Sequence, residues 1–203
     1  MQGPARTLTV AADDPRDPFQ ALKDELGETA GDAPDGPPFQ GGLAGLLGYD
    51  LGARLEPAGH PGGPDWPDVA CGLYLGLLAF DHQRHEVLAV GRGADAAGAR
   101  ANAGAALELL GLPEPPPPAA PLSGAFDAIT SGADYEAAVA AVVERIAAGE
   151  IFQANIARRW GGRLRPGARP VDLVRRLLTG SPAPFAASPV ALPLKVSGAQ
   201  ALR

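Results

Sequence analysis

Several residue groups in this 203-residue chain are of types that can do chemistry. Gly41-Gly42, Gly45 and Gly48 superficially match a phosphate-cradling loop. The Gly-Lys-Ser/Thr ending of a P-loop is missing, however, and no helix with a good start follows. Gly91-Arg92-Gly93 is a weaker match, and close strand packing accounts for both. His82 and His85 form a metal-type pair within Asp81-His-Gln-Arg-His85, but no third ligand lies at a telling spacing, so they read as a solvated turn. Cys71 sits inside an apolar run and behaves as a small hydrophobe rather than a nucleophile. No Ser/His/Asp set can be assembled. Glu144 and Glu150, six apart on a helix and its exit, point to different faces and do not make an acid/base pair. Residue chemistry alone therefore assigns no catalytic residue and no metal ligand.

The elements that carry these groups follow from periodicity and breakers. Arg6–Val10 alternates as a strand. Asp17 and Pro18 make an N-cap and first helical position, and Phe19, Leu22 and Leu26 then keep helical spacing until Gly27. Pro38–Leu51 is too rich in glycine for a stable helix and is read as a buried strand. A short helix begins over Ala53–Pro57, and His60–Pro67 is a loop. Val69–Phe80 is a second buried strand, followed by a turn at Asp81–His85 and a returning strand Glu86–Val90. Ala94–Leu110 is an alanine-rich helix closed by Gly111, and the proline-rich Pro113–Pro121 is a linker or surface loop. Thr130-Ser131 with Asp134 caps a helix over Tyr135–Ala148, with Val139, Val142, Val143 and Ile146 on one face and Gly149 as its stop. Ile151–Trp160 alternates as a strand, and Val171–Leu178 forms a helix entered through Pro170. These elements make an α+β fold with antiparallel or mixed sheet layers and packed helices.

Composition narrows the function classes. Lys and Arg number 17 against 23 Asp and Glu, a net charge of −6. That balance argues against a nucleic-acid partner, which calls for a basic patch. One cysteine and three histidines make neither an internal disulfide nor a Cys/His zinc cage, and a reducing compartment is the default. No signal-peptide core and no apolar run of bilayer length occurs, so a soluble, cytoplasmic protein with no membrane partner is expected. Gly and Pro, at 27 and 22 residues, approach the level of low-complexity chains. The glycines, however, fall in the strand-like runs and the prolines in the linker and loops.

Four segments in order carry a family resemblance: PFQGGLAGLLGYDLG (Pro38–Gly52), PDVACGLYLGLLAFDHQRH (Pro67–His85), YEAAVAAVVERIAAGEIFQANIARRW (Tyr135–Trp160) and SPAPFAA (Ser181–Ala187). Together they resemble the large subunit of chorismate-utilising enzymes, the group of anthranilate synthase component I and aminodeoxychorismate synthase component I. The resemblance covers Thr7 to Ala187. Asn155 within EIFQANIARR and the DHQRH turn favour the aminodeoxychorismate branch, with the anthranilate branch as the alternative.

The resemblance implies amination of chorismate with ammonia from a separate glutaminase subunit, for para-aminobenzoate and folate synthesis. It also implies Mg²⁺ on the substrate carboxylate. The Pro-Glu-Arg-Phe, Lys-Gly-Thr and Gly-Ala-Pro-Lys segments and the metal-binding glutamates of the family's second half do not occur here, and Lys195 in PLKVSG does not stand in for them. The expectation is a fragment cut at both ends, through a frameshift or misplaced gene boundary near Ala187 or as a shortened paralogue, inactive alone and binding no Mg²⁺. Residues 1–122 would be a partial N-terminal region, 123–187 the start of the chorismate-binding region and 188–203 a tail outside the family pattern. By resemblance Phe152, Asn155, Pro184 and Phe185 form a possible amino-acid pocket; the alternative is that the two phenylalanines are core and Asn155 bridges strands. A second functional class is a non-catalytic module that binds an aromatic amino acid or docks a glutaminase. Strands continued elsewhere in the family should leave unpaired edges or exposed apolar faces.

Overall fold

The computed structural model describes residues 3–28, 31, 33–56, 66–113, 116 and 121–181. The loop expected at His60–Pro67, most of the Pro113–Pro121 segment, Pro184, Phe185 and the terminal stretch from residue 188 lie mainly or wholly outside the described residues. The chain divides into two compact units, one built on Met1–Glu114 and one on Pro115–Ser188.

Unit one begins with strand β1 (Arg6–Val10) and helix α1 (Pro18–Leu26). Asp17 caps α1: its carboxylate accepts from the Phe19 and Gln20 amides at 2.8 and 3.3 Å, with Pro18 at the first turn, where no N–H is needed. Strands β2 (Gly42–Leu47) and β3 (Val69–Tyr74) complete an antiparallel sheet of order β1-β3-β2. Val10 faces Val69 and Leu8 faces Cys71 across β1 and β3. These four form the core, against which Ala21 and Leu22 of α1 and Leu43 of β2 pack. Gly45 faces Cys71 in the sheet. A Cβ there would overlap the Ala70 carbonyl, so the glycine marks a close backbone approach.

The apolar run at Val69–Phe80 is two strands rather than the single one expected. It bends at Leu75, and the second part, β4 (Gly76–Asp81), leaves the first sheet to pair with β5 (Glu86–Gly91) in an antiparallel hairpin. The physical reason lies in Gly76, beside which helix α2 (Ala96–Leu107) crosses closely. Two further expectations shift. The strand in Pro38–Leu51 is confined to β2, and the turn of helix placed at Ala53–Pro57 is a 3₁₀ helix over Tyr49–Arg54. A second 3₁₀ turn, Glu108–Gly111, ends α2.

Unit two contains β6 (Ser123–Ala128), α3 (Gly132–Ala147), β7 (Trp160–Leu164) and α4 (Pro170–Gly180). β6 pairs antiparallel with β7, with an irregularity between Ser123 and Phe126. Ser131 caps α3, accepting from the Asp134 amide at 3.0 Å and donating to its carboxylate at 2.7 Å. Gly149 closes it at φ 76. The strand expected over Ile151–Trp160 is absent: 151–159 is irregular, and pairing starts only at Trp160. The fold is α+β, and every strand pair among the described residues is antiparallel.

Candidate functional site

The FQGG segment is the first place where sequence suggested a ligand, and its geometry is that of a turn. The Gln40 side chain folds back on its own loop, its Oε1 accepting from the Ala33 amide at 2.9 Å and its Nε2 donating to the Ala33 carbonyl at 2.8 Å. Gly41 and Gly42 follow at φ 101 and 121, a region that side-chain-bearing residues avoid. The two glycines thus turn the chain from a stapled loop into β2. They do not stand at a helix N-terminus, where backbone amides would converge on a phosphate. Beside this turn lies a concavity of about 490 Å³ lined by Pro37, Pro38, Phe39, Tyr74, Leu77 and Leu78 among others. Its wall is apolar, with the Tyr74 phenol as its one titratable side chain.

The charged centre of unit one is Arg54, at the end of the 3₁₀ helix. Its Nε donates to the buried Asp68 carboxylate. Nη1 donates to the Asp14 and Arg16 carbonyls at 2.8 and 3.2 Å, and Nη2 to those of Ala11 and Ala12 at 2.9 and 3.1 Å. All five N–H groups are used to lace the loop after β1 to the start of β3, so the guanidinium is structural. Sequence reasoning missed this pair. The visible signal was an Asp directly before the apolar strand Val69–Tyr74 and an Arg in a segment read as a helix start.

His82 and His85 occupy the β4–β5 turn, as expected. Asp81 shapes that turn by accepting from the Gln83 and Arg84 amides, both at 2.9 Å. The Arg84 amide bond holds the Asp81 carboxyl below its ordinary range against the opposing effect of burial, with the Gln83 amide bond adding to it. Among the described residues no three His, Cys, Asp or Glu side chains gather in a way that could hold a metal ion. Cys71 is buried between β1 and β2, and burial pushes its thiol up, away from the reactive thiolate.

In unit two the residues assigned by resemblance are found as follows. Phe152 and Asn155 both lie in the irregular stretch after α3; Phe152 is 93% exposed and Asn155 is exposed. Pro184 and Phe185 lie outside the described residues. The order in this stretch comes from its end. The Arg159 carbonyl accepts from the Ile129 and Thr130 amides at 2.9 and 3.2 Å, and Arg158 Nε donates to the Thr130 carbonyl at 3.1 Å. The Arg158 guanidinium lies 4.9 Å from the Trp160 ring centroid, and Trp160 stacks on Phe126 at 6.1 Å with the planes 4° apart. Gly162, opposite Phe126, leaves room for that ring. Sequence reasoning found neither β6 nor this stack, because SGAFDA carries one large apolar residue and no alternation.

A sequence family described as chorismate binding enzyme matches residues 1–192. Anthranilate synthase component 1 of Streptomyces coelicolor is 34% identical over 188 residues, covering 83% of this chain and 36% of the relative. Aminodeoxychorismate synthase component 1 of Salmonella typhimurium is 45% identical over 85 residues, 41% of this chain and 18% of the relative. The crystal structure of anthranilate synthase component I from Streptococcus pneumoniae TIGR4 superposes with a TM-score of 0.65 at 21% identity, over 92% of this chain and 46% of that one. The chain thus spans less than half the length of each of these proteins. Among the described residues no helix is long and apolar enough to cross a membrane. With the match running through nearly its whole length, this chain belongs to the chorismate binding enzyme family.

Proposed function

We propose that this chain is part of an aminodeoxychorismate synthase component 1, an enzyme that aminates chorismate in the cytoplasm with ammonia from a glutaminase subunit. The product would serve para-aminobenzoate synthesis. The observation that carries the branch is local identity. It is 45% over the 85 residues shared with the Salmonella aminodeoxychorismate enzyme. The described residues contribute scaffold rather than reacting groups: Arg54 and Asp68 are committed to each other and to backbone, and Cys71 is inert. The purified chain given chorismate, ammonia and Mg²⁺ is therefore expected to form no product.

The length of the Streptomyces match, 83% of this chain, favours a second reading, in which the product is anthranilate. Deleting the coding region in its own host separates the two. A growth requirement relieved by para-aminobenzoate is expected. Relief by tryptophan would move the chain to the anthranilate branch, and growth without either supplement would overturn both readings.

A further inference from the structure

We propose that unit one carries a binding groove for a small organic ammonium ion with an apolar body, its charged head held by the Asp35 carboxylate. The proposal goes beyond the component 1 reading and does not rest on it. Two concavities follow one another between the loop that leads into β2 and the strand β4. The first, the apolar one beside the FQGG turn, has a volume of about 490 Å³ and sets Phe39 against Leu77 and Leu78. The second, of about 530 Å³, sets Pro34 and Asp35 against Phe80, Asp81, His82 and Arg84. Pro37, Pro38 and Ala79 line both. Together they make one groove, apolar at one end and charged at the other, of the size that small ligands occupy.

The loop wall is fixed before any ligand arrives. Gln40 bonds both backbone groups of Ala33, and the Gly36 amide donates to the Ala33 carbonyl at 3.0 Å. Pro34, Pro37 and Pro38 lie between those anchors with φ locked, so little freedom is lost on binding. Charge then selects the ligand. Asp81 is committed: Oδ1 accepts from the Gln83 and Arg84 amides, and Oδ2 lies 3.8 Å from Arg84 Nε. Asp35 is exposed, and among the described residues its side chain has neither a hydrogen bond nor an ion pair. Its carboxylate is therefore the uncommitted charge of the groove, while the one guanidinium already faces Asp81. Phe80, 55% exposed on the opposite wall, adds a ring face that attracts a cation and repels an anion. A cationic head at Asp35 with an apolar body lying toward Leu77 and Leu78 satisfies both ends.

The test titrates the full chain at pH 8, where histidine side chains are uncharged, and follows backbone amides by NMR. The probes are 2-phenylethylammonium, its neutral counterpart 2-phenylethanol, and the anion phenylacetate. Shifts are expected along 34–39 and 77–84, with the ammonium bound about threefold more tightly than the alcohol, as for an exposed ion pair, and phenylacetate weakest. Asp35→Asn should bring the ammonium down to the alcohol and leave the alcohol's affinity unchanged. Equal affinity for ammonium and alcohol in the unaltered chain overturns the proposal, as does tighter binding of phenylacetate or an absence of shifts along the groove. So does an Asp35→Asn variant, folded by its β1–β3 amide shifts, that still prefers the ammonium. The comparison of the three probes in the unaltered chain needs no variant, so it decides even where the substitution disturbs the loop.

Discussion

Gly76 and Gly91 lie opposite one another in the β4–β5 hairpin, and each leaves bare backbone where α2 crosses. A Cβ on Gly91 would overlap the Ala99 carbonyl and the Ala103 amide, and one on Gly76 would come within 2.5 Å of the Asn102 carbonyl. Asn102 Nδ2 donates to the Arg92 carbonyl at 2.6 Å, fixing the helix on the hairpin. The alanines of α2 and the two glycines are therefore one feature, a helix seated directly on backbone. Gly91→Ala is expected to cost about 1–3 kcal/mol, as overpacking does. Gly104→Ala, on the same helix where a Cβ meets open space, should gain up to about 1 kcal/mol. Urea unfolding of both variants checks this, and equal effects would refute the close seat.

Arg54 gives a second expectation. Arg54→Met leaves a buried carboxylate and four carbonyls without their donor, and a loss of about 3 kcal/mol is expected. Arg54→Lys should recover only a small part, because an ammonium cannot reach five acceptors spread around a planar fork. Chemical denaturation of the two variants measures both values. A lysine variant as stable as the parent would show that charge, rather than the fork, holds the loop.

Asp14 predicts a pH dependence. Its carboxylate accepts from Arg16 Nη2 at 2.7 Å and from Nε at 3.0 Å. These side-chain bonds, then the Arg16 amide bond, lower its pKa from 3.8 to about 2. A carboxyl whose folded pKa is depressed adds stability that is fully present above its unfolded value. That stability is lost as pH falls through the folded one, here between about 4 and 2. Asp14→Asn should therefore flatten the decline of unfolding free energy across that window and leave its slope near neutral pH unchanged. Asp81 and Asp172 are shifted in the same direction, so the variant removes only one share of the decline. Carboxyl titration by NMR reads the Asp14 value directly.

The sequence disclosed local structure wherever a cap or stop was in place. Asp17-Pro18, Ser131 with Asp134, and Gly149 mark helix ends because each acts on its own neighbours. It failed where tertiary pairing decides. The run from Val69 to Phe80 is uniformly apolar, so periodicity could not show that the chain changes sheets at Leu75. Ile151–Trp160 alternates but has no partner strand before Trp160, so the pattern alone could not make it pair. Of the candidate site, the resemblance located Phe152 and Asn155 in one segment, while spacing said nothing of their surroundings. The Arg54–Asp68 pair stayed invisible because its fourteen-residue separation follows no local rule.

The difference in burial between Val10 and Val143 predicts opposite responses to similar substitutions. Val10 is fully buried and faces Val69, also fully buried, across β1 and β3. Truncating it opens a cavity in a close-packed core, and Val10→Ala is expected to cost about 2 kcal/mol. Val143 bears the same side chain but stands 59% exposed on α3. There alanine removes little packing and raises helix propensity. Val143→Ala should thus change stability by less than about 0.5 kcal/mol, or raise it. Denaturant titrations followed by amide exchange, which assigns each change to β1 or to α3, decide the matter. A large loss on Val143→Ala in this chain would mean that α3 is already packed.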